Sequence, residues 1–161
     1  MARFDVFNGD ADGICALQQL RLAAPGPTTL VTGVKRDIAL VRRVEAGPGD
    51  EVAVLDVSLD KNRDALLGLL DRGARVIYFD HHFPGDIPDH PGLEAHIDTT
   101  PDVGTCFLVD AYLQGARRAW AVVGTYGDNF DATAAKLAAT LGLGDADLER
   151  LRKLGIYINY N

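Results

Sequence analysis

Acidic and imidazole side chains follow apolar runs at three points in the chain, and a further acid follows a glycine. They are Asp10 and Asp12, then Asp56, then Asp80, His81 and His82, and finally Asp128. Carboxylate oxygens mixed with imidazole nitrogens suit Mn²⁺ or a similar divalent ion better than zinc selected by thiolates. Carboxylates gathered in one place repel one another unless they are protonated or hold a cation. These residue types therefore predict a divalent-metal site if the fold brings them together.

The elements that must position these residues are strands. The run at 76–79 is Val, Ile, Tyr and Phe without alternation, which is typical of a strand buried on both faces of a parallel sheet. Runs at 3–7 and 51–57 are also predicted strands, and each has acids at or just beyond its end. The carboxyl ends of parallel strands share one edge, where ligands bind in open α/β sheets. Residues distant in sequence are therefore expected to meet there.

The predicted fold class is α/β, a three-layer α/β/α arrangement with a mainly parallel five-stranded sheet and a helical C-terminal part. Strands at 28–32 and 94–97 complete the sheet. Helices are predicted up to Pro25, between 33 and 47, at 61–72, and near 104–114, 116–127, 131–141 and 145–154. Because 161 residues suffice for one core, we expect 1–161 to be a single domain.

Composition narrows the classes of function. Hydrophobic residues make up 47% and charged residues 24%, as in an ordinary globular protein. The net charge of −7 argues against broad electrostatic capture of long nucleic acid. Cys15 and Cys106 form no close pair, so we expect reduced, buried thiols. Without a signal sequence or an apolar stretch of about 20 residues, a cytoplasmic protein with no membrane partner is expected.

Four motifs resemble, in order and approximate spacing, those of the DHH phosphoesterase superfamily. The motifs are Asn8-Gly9-Asp10-Ala11-Asp12-Gly13, the lone Asp56 on an apolar strand, Asp80-His81-His82, and Gly127-Asp128. The superfamily includes RecJ-type exonucleases, nanoRNases, cyclic-dinucleotide phosphodiesterases and family II inorganic pyrophosphatases. One motif alone is weak, whereas four in register over residues 3 to about 129 are specific.

The resemblance implies a hydrolase with two metal ions, usually Mn²⁺, with Mg²⁺ as the other candidate. It assigns Asp12, Asp56, His81 and Asp128 to one ion, and Asp10 with a bridging Asp56 to the other. It also implies that His82 faces the scissile phosphate and that Asp80 orients a neighbouring imidazole. Two such ions about 4 Å apart activate water for direct in-line displacement at phosphorus, without a covalent enzyme intermediate.

Two departures from the superfamily pattern affect this expectation. Relatives commonly carry His or Asp upstream of the paired aspartates, whereas this chain has Asn8 and Val6 at the aligned positions. The carbonyl of Asn8 is a neutral and weaker ligand, so the Asp10 site is expected to bind metal loosely. The smaller substrate-binding domain is also missing, so we interpret the chain as the N-terminal domain of a longer protein. Metal binding should then survive better than turnover.

Each motif also has an ordinary structural explanation. The Asp10–Gly13 stretch could be a turn and helix cap, Asp56 a helix cap, and Asp128 a loop residue. His90 and His96 lack the context of the paired histidines and are interpreted as structural. Lys35 and Arg36 follow a strand near the proposed edge, where binding of substrate phosphate and simple solvation are equally favoured. Arg42 and Arg43 are interpreted as a solvated face.

The function predicted from these residues is hydrolysis of phosphodiester bonds in short oligonucleotides or small nucleotides. One alternative is a non-catalytic DHH-fold scaffold for nucleic acid or replication, which Asn8 favours and the seven acidic and imidazole residues oppose. Another is an inorganic pyrophosphatase, which would need more basic residues than Lys35 and Arg36. Aromatic residues are too sparse to indicate a stacking platform for single strands.

Overall fold

Five strands form one sheet in which every strand is parallel to its neighbours. They are β1 (Arg3–Asn8), β2 (Thr29–Gly33), β3 (Glu51–Leu55), β4 (Arg75–Asp80) and β5 (Leu93–Ile97), in the order β2-β1-β3-β4-β5. The structure is a computed structural model that describes residues 1–160, so Asn161 lies outside the described residues. The predicted α/β class and five-stranded sheet are confirmed, and the sheet is wholly rather than mainly parallel.

The chain divides into two compact units, each assembled from two separate stretches of the sequence. The first unit comprises Met1–Gly9 and Gly26–Thr99, and it holds the whole sheet with α2 (Leu59–Asp71). The second comprises Asp10–Pro25 and the residues from Thr100 onward. It holds the helices α1 (Ala11–Ala23), α3 (Thr105–Tyr112), α4 (Arg118–Gly127), α5 (Asp131–Ala139) and α6 (Asp145–Asn159). No helix within residues 1–160 combines the length and apolar character needed to cross a bilayer.

The core of the first unit is built from the apolar runs that predicted its strands. Val6 of β1 pairs with Val54 of β3, which in turn pairs with Tyr78 of β4, and all three are fully buried. The hydroxyl of Tyr78 donates to the carbonyl of Val57 over 2.7 Å, and burial raises the pKa of this phenol well above its ordinary value. The paired strands therefore end in register at one edge of the sheet.

The predicted helix between residues 33 and 47 is wrong, since only Val41–Arg43 form a single 3-10 turn. Ile38, which the apolar spacing assigns to a helix face, is 51% exposed. The buried side chain of Asn62 holds the segment instead. Its amide donates to the carbonyl oxygens of Ile38 (2.7 Å) and Ser58 (2.9 Å), and its oxygen accepts from the N–H of Val41 (3.3 Å). Because the side chain of Asn62 makes hydrogen bonds with these backbone groups, they do not need the hydrogen bonds of a helix.

In the second unit, α4 and α6 touch through glycines. A Cβ atom on Gly155 would collide with the carbonyl oxygen of Val123 and lie 2.9 Å from the N–H nitrogen of Gly127. Such distances are far below van der Waals contact, so the two helix backbones cross with no side chain between them. Helix α6 continues five residues beyond its predicted end at 154 because Gly155 is buried in this crossing.

Gly155→Ala is expected to lower the free energy of unfolding by about 1–3 kcal/mol, the usual cost of overpacking. The loss should occur although alanine is intrinsically the better helix former. Thermal and urea unfolding measure it. The matched control is Gly68→Ala in α2, where a Cβ would meet only the flexible end of Arg72 at 3.4 Å. That control should be neutral or stabilising, and equal behaviour of the two variants would contradict the close crossing.

Candidate metal centre

Asp56 follows β3 directly and has a rare backbone conformation. Its φ is 59°, in the left-handed region that aspartate tolerates better than most residues. The residue is 2% exposed, and its N–H donates to the carbonyl of Phe79 on β4 over 3.0 Å. Strained backbone of this kind persists only where neighbouring structure imposes it. The chain thus leaves β3 at Asp56, where the pairing with β4 ends, and the carboxylate of Asp56 is buried there.

His81 places a ring nitrogen close to that carboxylate. Its Nε2 lies 3.2 Å from Oδ1 of Asp56, and its side chain is 18% exposed. Since β4 ends at Asp80, the position of His81 follows from the strand register. The arrangement joins a carboxylate oxygen and an imidazole nitrogen from adjacent strand ends.

His82 is oriented by Asp80 rather than by Asp56. Its Nδ1 lies 2.6 Å from Oδ1 of the fully buried Asp80. An ionised carboxylate only accepts, so this contact places the proton on Nδ1 and leaves Nε2 as the acceptor of the neutral ring. The hydrogen bond to Asp80 raises the pKa of His82, and burial opposes this by lowering it. Asp80 therefore acts on the imidazole as an orienting partner.

Three ligand-type side chains of the first unit converge: Asp56, His81 and His82 each offer an atom within 4.8 Å of the others. Among the buried oxygens of this unit, Oδ1 of Asn8 and Oδ2 of Asp80 have no hydrogen-bond partner within residues 1–160. Buried acceptors without partners are rare, and an absent ion or water is a common explanation. Asn8 is the last residue of β1, the strand that pairs with β3.

In the second unit, Asp12 and Asp128 approach each other. Each offers a carboxylate oxygen, and the two atoms lie within 4.8 Å. Asp12 is fully buried in the first turn of α1, and Asp128 is the C-cap of α4. Asp10 is the N-cap of α1, and its Oδ1 accepts from the N–H of Gly13 over 3.1 Å. Within the described chain, Asp10 belongs to neither group of converging ligand atoms.

The backbone that fixes Asp12 was not predicted. Its two carboxylate oxygens accept the N–H groups of Thr105 (2.8 Å) and Cys106 (2.7 Å) at the start of α3. The thiol of Cys106 donates to the carbonyl of Asp12 over 3.1 Å, and burial raises the pKa of this thiol. Gly104 before α3 marks a helix start, but no side-chain pattern reveals which acid accepts from the first N–H groups of that helix.

Among the remaining predicted residues, His90 and His96 belong to neither group of converging ligand atoms within residues 1–160. Lys35 and Arg36 are exposed in the turn after β2. Arg43 donates to Asp37 over 2.6 Å. Two histidines make local contacts: His90 accepts from the N–H of Gly92, and the ring of His96 stacks on Phe79 with centroids 4.7 Å apart.

Comparison with known proteins identifies the fold. No protein-family model matches the chain, and no curated protein matches it. Among solved structures, it is similar to one described as the DHH domain of a member of a ribosomal-protein family. That likeness has a TM-score of 0.70 at 16% identity and covers 98% of this chain and 47% of the other. The chain therefore has the fold of a DHH domain, as the four motifs predicted.

Two structures of RecJ exonuclease with bound manganese also match, one of them from Thermus thermophilus. Both give TM-scores of 0.48, at identities of 24% and 27%. The matches cover 84% and 78% of this chain, and 42% and 21% of the RecJ chains. The chain thus spans less than half the length of each of the three structures.

Proposed function

We propose that the chain is the catalytic domain of a metal-dependent phosphoesterase that hydrolyses phosphodiester bonds of short oligonucleotides or small nucleotides. The observation that carries the proposal is the convergence of Asp56, His81 and His82 at the adjoining ends of β3 and β4. This is the edge of a parallel sheet at which ligands bind. The DHH fold and the order of the four motifs support the same activity.

The residues present fit a divalent ion. Carboxylate and imidazole donors are the ligands that Mn²⁺ accepts, and no thiolate contributes to the groups found in residues 1–160. The partnerless oxygen of Asn8 adds a neutral acceptor at the end of β1. Asp12, Asp56, His81 and Asp128 are proposed as ligands of one ion, and Asp10 with Asp56 as ligands of a second, with Asn8 as a weak ligand. When bound, such ions make water a nucleophile and stabilise charge at phosphorus.

The chain's own residues have distinct roles in this proposal. The N–H groups of Thr105 and Cys106 neutralise part of the Asp12 charge and fix its carboxylate. His82, oriented through Nδ1 by Asp80, presents Nε2, which accepts a proton when the ring is neutral and donates to the substrate phosphate when the ring is protonated. The 46% exposure of its side chain permits that access.

Short substrates fit the charge of the chain better than long ones. A net charge of −7 provides no broad attraction for a polyanion. Lys35 and Arg36, both exposed after β2, are the proposed local contacts for substrate phosphate. Two such contacts suit a molecule with one or a few phosphates.

The decisive experiment is calorimetric titration of the purified, chelator-treated chain with Mn²⁺, alongside His81→Ala. We expect binding by the parent chain and its loss in the variant, because Nε2 of His81 lies 3.2 Å from Oδ1 of Asp56. The matched control is His96→Ala, since His96 stacks on Phe79 and belongs to neither group of converging ligand atoms within residues 1–160. Its manganese affinity should be unchanged.

The hydrolysis of a dinucleotide and of pyrophosphate then defines the reaction. We expect the dinucleotide to be cleaved faster. Preference for pyrophosphate would replace the proposed activity with that of a pyrophosphatase. No Mn²⁺ binding by the parent chain would overturn the proposal in favour of a non-catalytic DHH-fold protein.

A further inference from the structure

Phe83 follows His82 directly and is exposed to solvent over 75% of its surface. It is the only one of the six phenylalanines of the chain in the exposed class, and all six lie within the described residues. Single exposed apolar residues are common and need no function by themselves. Because Phe83 directly follows a candidate catalytic histidine in the sequence, the structure around it is relevant.

The loop that carries Phe83 is held in place on its far side by Arg63 of α2. The guanidinium donates to the carbonyl oxygens of Pro84 (2.7 Å) and Asp86 (2.9 Å). It also lies 3.3 Å from Oδ1 of Asp60, and its side chain is only 29% exposed. One arginine thus fixes two backbone carbonyls of the same short loop, which orders a segment that would otherwise be mobile.

Gly85 allows this close approach. Its φ is +61°, and a Cβ at this position would collide with the guanidinium of Arg63 and lie 2.7 Å from Oδ1 of Asp60. On the other side of Phe83, the ring of His82 is bound to the buried Asp80. The backbone of Phe83 therefore lies between two residues held by hydrogen bonds, His82 and Pro84. Less conformational entropy is then lost when a ligand binds against the Phe83 ring.

We propose that Phe83 stacks on a nucleobase of the substrate adjacent to the scissile phosphate. This inference rests on the proposed function and narrows its substrate class to phosphodiesters that carry a base at that place. A planar ring offers a sequence-tolerant stacking surface to any base. A single aromatic provides one stacking place, which suits a dinucleotide better than a long strand. Pyrophosphate carries no base that could stack on Phe83.

The test uses Phe83→Leu, which removes the π face and keeps an apolar side chain, and Phe83→Trp, which restores an aromatic ring. The substrates are a 5′-phosphorylated dinucleotide containing 2-aminopurine and the same molecule with an abasic site. Stacking persists from bound substrate to transition state, so Phe83→Leu should raise KM for the dinucleotide and leave kcat unchanged. The expected rise is about 5- to 150-fold, and the abasic substrate should show none. Phe83→Trp should restore KM.

A binding measurement separates failure of this inference from failure of the proposed function. Stacking should quench 2-aminopurine fluorescence when the parent chain, with Mn²⁺, binds a non-hydrolysable dinucleotide whose bridging oxygen is replaced by methylene. Quenching that is lost in Phe83→Leu supports stacking even if no hydrolysis occurs, in which case only the proposed function fails. Absence of quenching in the parent chain overturns the inference.

The matched control is Ile87→Ala, at an apolar residue of the same loop that is 46% exposed. It should leave KM and quenching unchanged. An equal rise in KM for Ile87→Ala and Phe83→Leu would show a general apolar contact and overturn the stacking role. Unchanged KM and unchanged quenching in Phe83→Leu would also overturn the stacking role. If the parent chain still hydrolysed the dinucleotide, the proposed function would stand.

Discussion

Asp56→Asn is expected to reduce Mn²⁺ affinity by more than about 100-fold. Even residues that only support metal ligands typically contribute about 10- to 100-fold, and Asp56 is the one residue proposed to bind both ions. Asparagine preserves the shape of the side chain and tolerates the left-handed backbone found at this position. The fold should therefore remain while the charge is lost. Calorimetric titration with Mn²⁺ measures the effect, and circular dichroism checks the fold.

Two further variants test whether the effect comes from the carboxylate or from the backbone. Asp56→Gly also lacks the carboxylate but relaxes the left-handed backbone, so it should bind no better than Asp56→Asn while unfolding at a higher temperature. Asp10→Ala should retain more affinity than either, because Asp10 is proposed as a ligand of the second ion only. Equal retention of manganese by Asp56→Asn and Asp10→Ala would contradict the bridging role.

His82→Ala is expected to lower kcat by about 10²- to 10⁴-fold without loss of Mn²⁺ binding. The range is that of a positioned acid or base, the role proposed for Nε2 of a ring whose Nδ1 is bound to Asp80. Steady-state hydrolysis of the dinucleotide and manganese titration should be measured on the same preparation. Retained affinity with lost turnover is the result expected of a group that contacts substrate.

The alternative outcome for His82 has structural support of its own. Its side chain offers a ligand atom within 4.8 Å of those of Asp56 and His81. If His82→Ala lost manganese as completely as His81→Ala, then His82 would be a ligand rather than a contact to substrate. Asp80→Asn keeps a hydrogen-bonding partner for the imidazole and should lower kcat less than His82→Ala does. An equal loss would mean that the negative charge of Asp80, and not its geometry, governs the ring.

The centre of the sheet could be predicted because β3 and β4 contain the uninterrupted apolar runs 52–55 and 76–79. Burial on both faces demands such runs, and the acids that end them stand out against Val, Ile and Phe. The segment from Ile38 to Val44 could not be predicted in the same way. Its apolar spacing resembles a helix, yet the hydrogen bonds that shape it come from Asn62, a residue of α2. Local periodicity carries no information about such a partner.

The candidate site was predictable only in its residue types. Motif order singles out Asp12, but the two N–H groups that fix its carboxylate belong to Thr105 and Cys106, far along the chain. Backbone donors have no signature in the side-chain sequence. Asp56 likewise combines a left-handed backbone with a hydrogen bond from its N–H to the Phe79 carbonyl, and strand propensity reveals neither. Precise geometry thus arises from pairings that local sequence does not encode.

The second unit is assembled from two separate stretches of the sequence, so its helices are synthesised at different times. Helix α1 leaves the ribosome long before α3, α4 and α6, against which it packs. At the usual rate of about 5–20 residues per second, the delay is on the order of 10 s. A nascent chain that has reached Thr99 carries every strand of the sheet, but the apolar side of α1 with Cys15 and Ala16 has no helix to cover it. This intermediate is the species that a holdase chaperone should recognise during translation.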